Sequence, residues 1–144
     1  MTAATLPYVQ GTNNADMVTL TVPTQYNGLG GNDTFTFLSG DLVNSLGQGN
    51  GFSGRVDQVI DFHVRDLSNL SAEHDFLSFS GFGKGTTLVF DHYAGTYDSQ
   101  HHLVSDTTKQ YYHIVDPTNP SASGYVMIQI ADSHQLSHQD YAFI

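Results

Sequence analysis

The segment Gly28-Leu-Gly-Gly-Asn-Asp-Thr-Phe-Thr36 constrains this chain more than any other: a glycine-rich turn, an aspartate at the sixth position and a large apolar residue at the eighth. Glycine accepts the left-handed backbone angles of a tight turn at little cost. The alternation Thr34-Phe35-Thr36-Phe37 that follows has the period of a half-buried strand. A weaker copy stands upstream at Gly11-Thr-Asn-Asn-Ala-Asp-Met-Val-Thr19, with Asn14 in place of a glycine, and Asn tolerates left-handed angles better than most residues. Asp16 and Asp33 are 17 residues apart, close to the roughly 18 of a coil built from two nine-residue turn-plus-strand units. Stacked coils of this kind put both aspartates on one edge. The half-turn between them, Leu20–Asn27, has no aspartate and is one residue short, so no comparable site is expected on the opposite edge.

The rest of the 144-residue chain also reads as β. Strands are predicted at Met17–Val22, Thr34–Leu38, Gln58–Phe62, Asp75–Phe79, Thr87–Asp91, Gln110–Val115 and Gly124–Ile130, each bounded by turn residues. A short helix is predicted at Ser133–Gln139 and a weaker one at Asp41–Leu46, while Asp116–Gly124 reads as a long hairpin loop. The length suits one domain with a real hydrophobic core.

Charge and composition narrow the function. Fourteen acids against four bases give a formal charge of −10. Binding to nucleic-acid phosphates needs clustered cations, and Arg55, Arg65, Lys84 and Lys109 are few and scattered. No apolar run reaches the roughly 18 residues of a membrane-spanning helix, and the N-terminal residues lack the pattern of a Sec-type signal. Without cysteine there is no disulfide framework, thiolate nucleophile or thiolate zinc site. With 39% apolar and only 12% charged residues, the chain is too hydrophobic to stay disordered.

Three further segments follow the repeats: Asp57-Gln-Val-Ile-Asp-Phe62, Asp75-Phe-Leu-Ser-Phe-Ser-Gly-Phe82 and Leu136-Ser-His-Gln-Asp-Tyr-Ala-Phe143. In this order, from residue 11 to 144, they resemble the C-terminal module of RTX (hemolysin-type) calcium-binding proteins, as in serralysin-type proteases and the R-modules of mannuronan C-5 epimerases. The resemblance implies a single all-β domain over 1–144. A short parallel β-roll at about 9–45 would carry calcium-binding nonapeptide turns, and an antiparallel β-sandwich-like cap at about 55–144 would hold a C-terminal secretion signal. It implies a non-catalytic, calcium-binding module of a secreted bacterial protein, exported through a type I channel by an ending such as Asp140-Tyr-Ala-Phe-Ile144. A module binding an extracellular polysaccharide, or a calcium-dependent adhesin or surface-layer fragment, are the alternatives. The chain departs from the family pattern in having only two recognisable nonapeptides, Leu29 at a glycine position and a longer stretch from Phe62 to Asp75.

Calcium takes six to eight oxygens at about 2.3–2.6 Å. Asp16 and Asp33 would supply carboxylates, with backbone oxygens from turn residues such as Asn14, Gly28, Gly30 and Gly31. The resemblance adds Asp57 as the residue closing the last site, and Asp61 is read as a turn or hydrogen-bond anchor. His134 and His138 stand at i, i+4, but no glutamate base lies between them. They and His101-His102 are read as exposed polar residues. No G-x-S-x-G elbow is present, and nothing in the sequence marks Asp57 or Asp61 as a raised-pKa acid. A sugar-stacking face would draw on Tyr111 and Tyr112, one of which strand alternation should turn outward, with Lys84 or Lys109 as a local basic spot.

Overall fold

The computed structural model describes residues 8–20, 24–42 and 56–144. Its strands, in chain order, are β1 (Tyr8–Gln10), β2 (Met17–Leu20), β3 (Gln25–Asn27), β4 (Thr34–Leu38), β5 (Asp57–Ile60), β6 (Phe76–Ser80), β7 (Thr87–Tyr97), β8 (Leu103–Val115), β9 (Gly124–Gln129) and β10 (Tyr141–Phe143). They form a six-stranded sheet, β1-β3-β5-β9-β8-β7, and a four-stranded sheet, β10-β6-β4-β2. From β1 to β6 the chain alternates between the two sheets and each strand pairs in parallel with its like. This is a parallel β-roll, as the turn repeat predicts. The turns 11–16, 28–33 and 61–75 therefore share one edge, and Thr24, just before β3, and Asp57, at the start of β5, meet at the other.

Parallel pairing does not stop near residue 45, which corrects the expected division. β5 pairs β3, β6 pairs β4, and even β9 and β10 add in parallel to β5 and β6. The antiparallel part of the C-terminal region is β7-β8-β9, which extends the six-stranded sheet. The 3₁₀ turn Pro120–Ala122 lies in the β8–β9 connection, where the hairpin loop was expected.

The core lies between the sheets. Phe35, Phe37, Leu77 and Phe79 face Val59, Ile114, Val126 and Ile128, all buried. In the four-stranded sheet Phe37, Phe79 and Phe143 stand in register across β4, β6 and β10, with ring centres 5.3 and 5.1 Å apart. Such aligned aromatics are the side-chain counterpart of parallel pairing. The six-stranded sheet also carries a small apolar cluster on its other face: Val56, Tyr111 and Met127.

The predicted helix at Ser133–Gln139 does not form; those residues are turns and irregular chain. Side chains occupy the backbone groups a helix would pair. Gln110 Nε2 donates to the carbonyls of Ser133 and His134, the Tyr112 hydroxyl accepts from Leu136 N–H, and the Asp140 carboxylate accepts from Ser137 N–H. Asp41 and Leu42 are not helical, and positions 43–46 of the other helix prediction lie outside the described residues. β1, β3 and β10 are too short to show as sequence periodicity.

Candidate functional site

The aspartate edge is assembled by the roll's register. Asp16, Asp33 and Asp75 each stand one residue before β2, β4 and β6, so parallel pairing places them side by side. Asp16 N–H donates to Asp33 Oδ1 at 2.9 Å, and Asp33 N–H donates to Asp75 Oδ1 at 2.9 Å. The next strand returns the bond: Thr34 N–H donates to the Asp16 carbonyl and Phe76 N–H to the Asp33 carbonyl, both at 2.8 Å. The expected neighbours Asp16 and Asp33 are thus brought together, and Asp75 continues their column.

The turns are equally close. Gly11 N–H donates to the Asn27 carbonyl at 2.8 Å. Gly31 has φ of 96°, and a side chain there would put its first carbon 2.5 Å from the Asn14 carbonyl carbon. Asn14 and Gly31 are therefore packed backbone on backbone, and only glycine fits. Gly30 stands over Asn13. Leu29, between Gly28 and Gly30, is held at φ of 62°, a conformation that costs an L-residue roughly 1–2 kcal/mol.

Asp33 is 1% exposed and its Oδ2 is buried without a hydrogen-bond partner. Burial pushes the carboxyl up to about 6 against the pull of the Asp16 N–H, and the charges of Asp75, Asp16 and Glu73 add to the rise. Asp75 differs because its second oxygen is filled: Oδ2 accepts from His63 N–H at 2.8 Å and lies 3.1 Å from His63 Nδ1. The same imidazole stands 2.9 Å from Glu73 Oε2. Burial opposes its charge, yet the hydrogen bond to Asp75 and the charges of Asp75, Glu73 and Asp61 raise the pKa of His63. Asp75 Oδ2 is thus matched by His63, and Asp16 Oδ2 accepts from Thr12 N–H at 2.7 Å, while Asp33 Oδ2 has no partner.

Asp57 is not part of this column. It begins β5 at the opposite edge, where its Oδ1 accepts from Thr24 N–H at 3.0 Å. Buried there, it is pushed up to about 7, with Asp41 adding to the rise. Asp57, named as the residue closing the last site, therefore shares no edge with Asp16 and Asp33, because β5 belongs to the other sheet. Asp61 follows β5 at φ of 59° and lies 3.7 Å from His63.

Among the described residues no three His, Asp or Glu side chains are grouped so as to hold a metal ion. An ion at this edge must draw on backbone oxygens besides Asp16 and Asp33. Missed from sequence were Glu73 and His63, in the long Phe62–Asp75 stretch where the repeat offers no position. The reach of Tyr26 was missed as well; burial and then the charges of Asp16 and Asp33 raise its phenol. Asp140 is a further buried acid, accepting from Arg65 N–H at 2.8 Å and lying 3.0 Å from His74 Nε2.

The tyrosine platform is corrected. Tyr111 and Tyr112 are both 2% exposed, because both faces of the six-stranded sheet are covered there. Tyr112 enters the main core, and Tyr111 stacks on His92 with centroids 4.7 Å apart. Lys109 lies 4.0 Å from Asp106, and Lys84 is exposed in the turn before β7. Lys109 and Val115, the partner of Thr87, are six positions apart on β8, about 20 Å of strand. His134 pairs with Asp132 at 2.9 Å and His138 meets the Tyr141 hydroxyl at 3.2 Å. His102 lies 3.6 Å from Asp98, and His101 is exposed at φ of 60°.

No protein-family model matches the sequence, and no curated protein matches it. Among solved structures, the chain is similar to the solution structure of the AlgE6R3 subunit from the Azotobacter vinelandii mannuronan C5-epimerase, at 17% identity and a TM-score of 0.47. The alignment covers 96% of this chain and 80% of that one. The β-roll assignment rests on the strand register described above.

Proposed function

We propose that this chain is a non-catalytic calcium-binding module, ordered by the ion between the Gly11–Asp16 and Gly28–Asp33 turns. The observation that carries the reading is the buried, unpartnered Asp33 Oδ2 beside Asp16 in two stacked glycine turns. Leaving a buried carboxylate oxygen unmatched costs free energy that a hard cation recovers. Asp16 and Asp33 would hold the ion with backbone oxygens of the turns, including that of Gly28. Bound calcium supplies positive charge that joins neighbouring coils. Calorimetry with calcium chloride should give binding that Asp33→Ala abolishes. No heat at millimolar calcium overturns the reading.

Placement in a secreted protein, exported through a type I channel, belongs to the same proposal. The terminal residues fold as β10, so an export signal there would be read from the unfolded chain. A second reading, a module for an extracellular polysaccharide, is favoured by His113 and Tyr125, whose half-buried rings stack at 4.3 Å and 8° on the antiparallel strands. An uncharged glycan suits a chain of −10 charge better than a polyuronate. A glycan array probed with and without calcium tests it, and no bound glycan under either condition rejects it.

A further inference from the structure

We propose that the hydroxyl of Tyr26 is a neutral oxygen ligand of the ion held between the two turns; the inference rests on the calcium reading above. A side chain at Gly11 would put its first carbon 2.5 Å from Asp16 Oδ2, 3.0 Å from the Tyr26 hydroxyl and 3.1 Å from the Gly28 carbonyl oxygen. A carboxylate, a phenol and a carbonyl from two parts of the chain therefore gather around Gly11. Glycine, having no side chain, leaves those three oxygens room to approach one another. At the next coil the same construction on Gly28 meets Asp33 Oδ2 at 2.1 Å and a ring carbon of Phe35 at 3.1 Å. The floor there is carbon, so at that point the ion gains the Asp33 carboxylate but no neutral side-chain oxygen.

Tyr26 is built to hold its oxygen in place. It lies on β3 with 7% of its surface exposed, and its ring meets Phe35 edge-on at 5.5 Å and 72°. A ring fixed by packing presents its hydroxyl without further loss of freedom on binding. A neutral donor also suits a site where two carboxylates already crowd, because it adds an oxygen without adding charge. Tyr26 lies outside the nonapeptide turns, in the half-turn that carries no aspartate, so the repeat pattern does not point to it.

Terbium is a calcium substitute whose emission a nearby tyrosine sensitises. The full chain should give tyrosine-sensitised terbium emission that calcium displaces. Tyr26→Phe should lose most of that emission and bind calcium about fivefold more weakly by calorimetry, the loss expected for one oxygen contact. Tyr97→Phe, exposed at the end of β7, should change neither. If the unaltered protein shows neither calcium heat nor calcium-displaceable emission, the calcium reading fails and this inference with it. If calcium binds and Tyr26→Phe matches the unaltered protein in affinity and emission, Tyr26 is not a ligand and the calcium reading stands. Should Tyr26→Phe fail to fold by circular dichroism, the ¹³Cζ resonance of Tyr26 in the unaltered protein decides: a shift on adding calcium supports the assignment, and an unmoved resonance overturns it.

Discussion

Gly31 and Asp57 occupy opposite edges of the roll and are tied to stability by different physics. At Gly31 the left-handed φ and the Asn14 backbone beneath it leave no room for a methyl group. Gly31→Ala should lower stability by about 2 kcal/mol or more, read as a lower denaturation midpoint at unchanged slope. An alanine variant as stable as the parent would mean that the two turns do not stack. Asp57 is a matter of charge. Its carboxyl is pushed up to about 7 in the folded chain, above its ordinary unfolded value near 3.9. The group therefore favours the fold fully below about pH 4, and that support is lost as pH rises through about 7. Asp57→Asn should be the more stable form at pH 8, by on the order of 1 kcal/mol, with the advantage gone by pH 4. Urea melts at the two pH values measure this, and an advantage equal at both would reject the account.

Strands β6 and β10 show what a sequence pattern conveys and where it stops. Asp140 is buried with two amides and an imidazole around it, and Phe143 stacks on Phe79. Removing residues 140–144 should therefore unfold much of the four-stranded sheet, seen as loss of the near-ultraviolet circular dichroism of its aromatics. A truncated chain that keeps its melting point would show β10 to be dispensable. The first two coils were legible because a 17-residue period repeats with its aspartates in place. The third was not: Asp75 joins the column across 42 residues from Asp33, and no period spans an insertion of that length. The Tyr111-Tyr112 pair misled for another reason. Alternation reports which face a side chain takes, and a sheet covered on both faces buries both.

The whole molecule carries a formal charge of −10 and concentrates acids along one edge of its roll. A ligand bound only by the folded state stabilises it by RT ln(1 + [L]/Kd), roughly 2.7 kcal/mol at a hundredfold excess over Kd. At about 2–4 °C per kcal/mol for this size, calcium should raise the melting temperature by roughly 5–10 °C at pH 7.5. Since Asp33 is pushed up to about 6, its proton competes with the ion, and the gain should shrink toward pH 5. A calcium response that survives Asp33→Ala would place the ion elsewhere. The strand order has a mechanical consequence as well. In the four-stranded sheet β2 and β10 lie at opposite edges, three strand spacings apart, about 14 Å. Tension between those two strands pulls across the ladder, along its hydrogen bonds, and loads one strand at a time. Under such tension the sheet peels apart strand by strand from its ends, giving way gradually where strands loaded along their length would resist together.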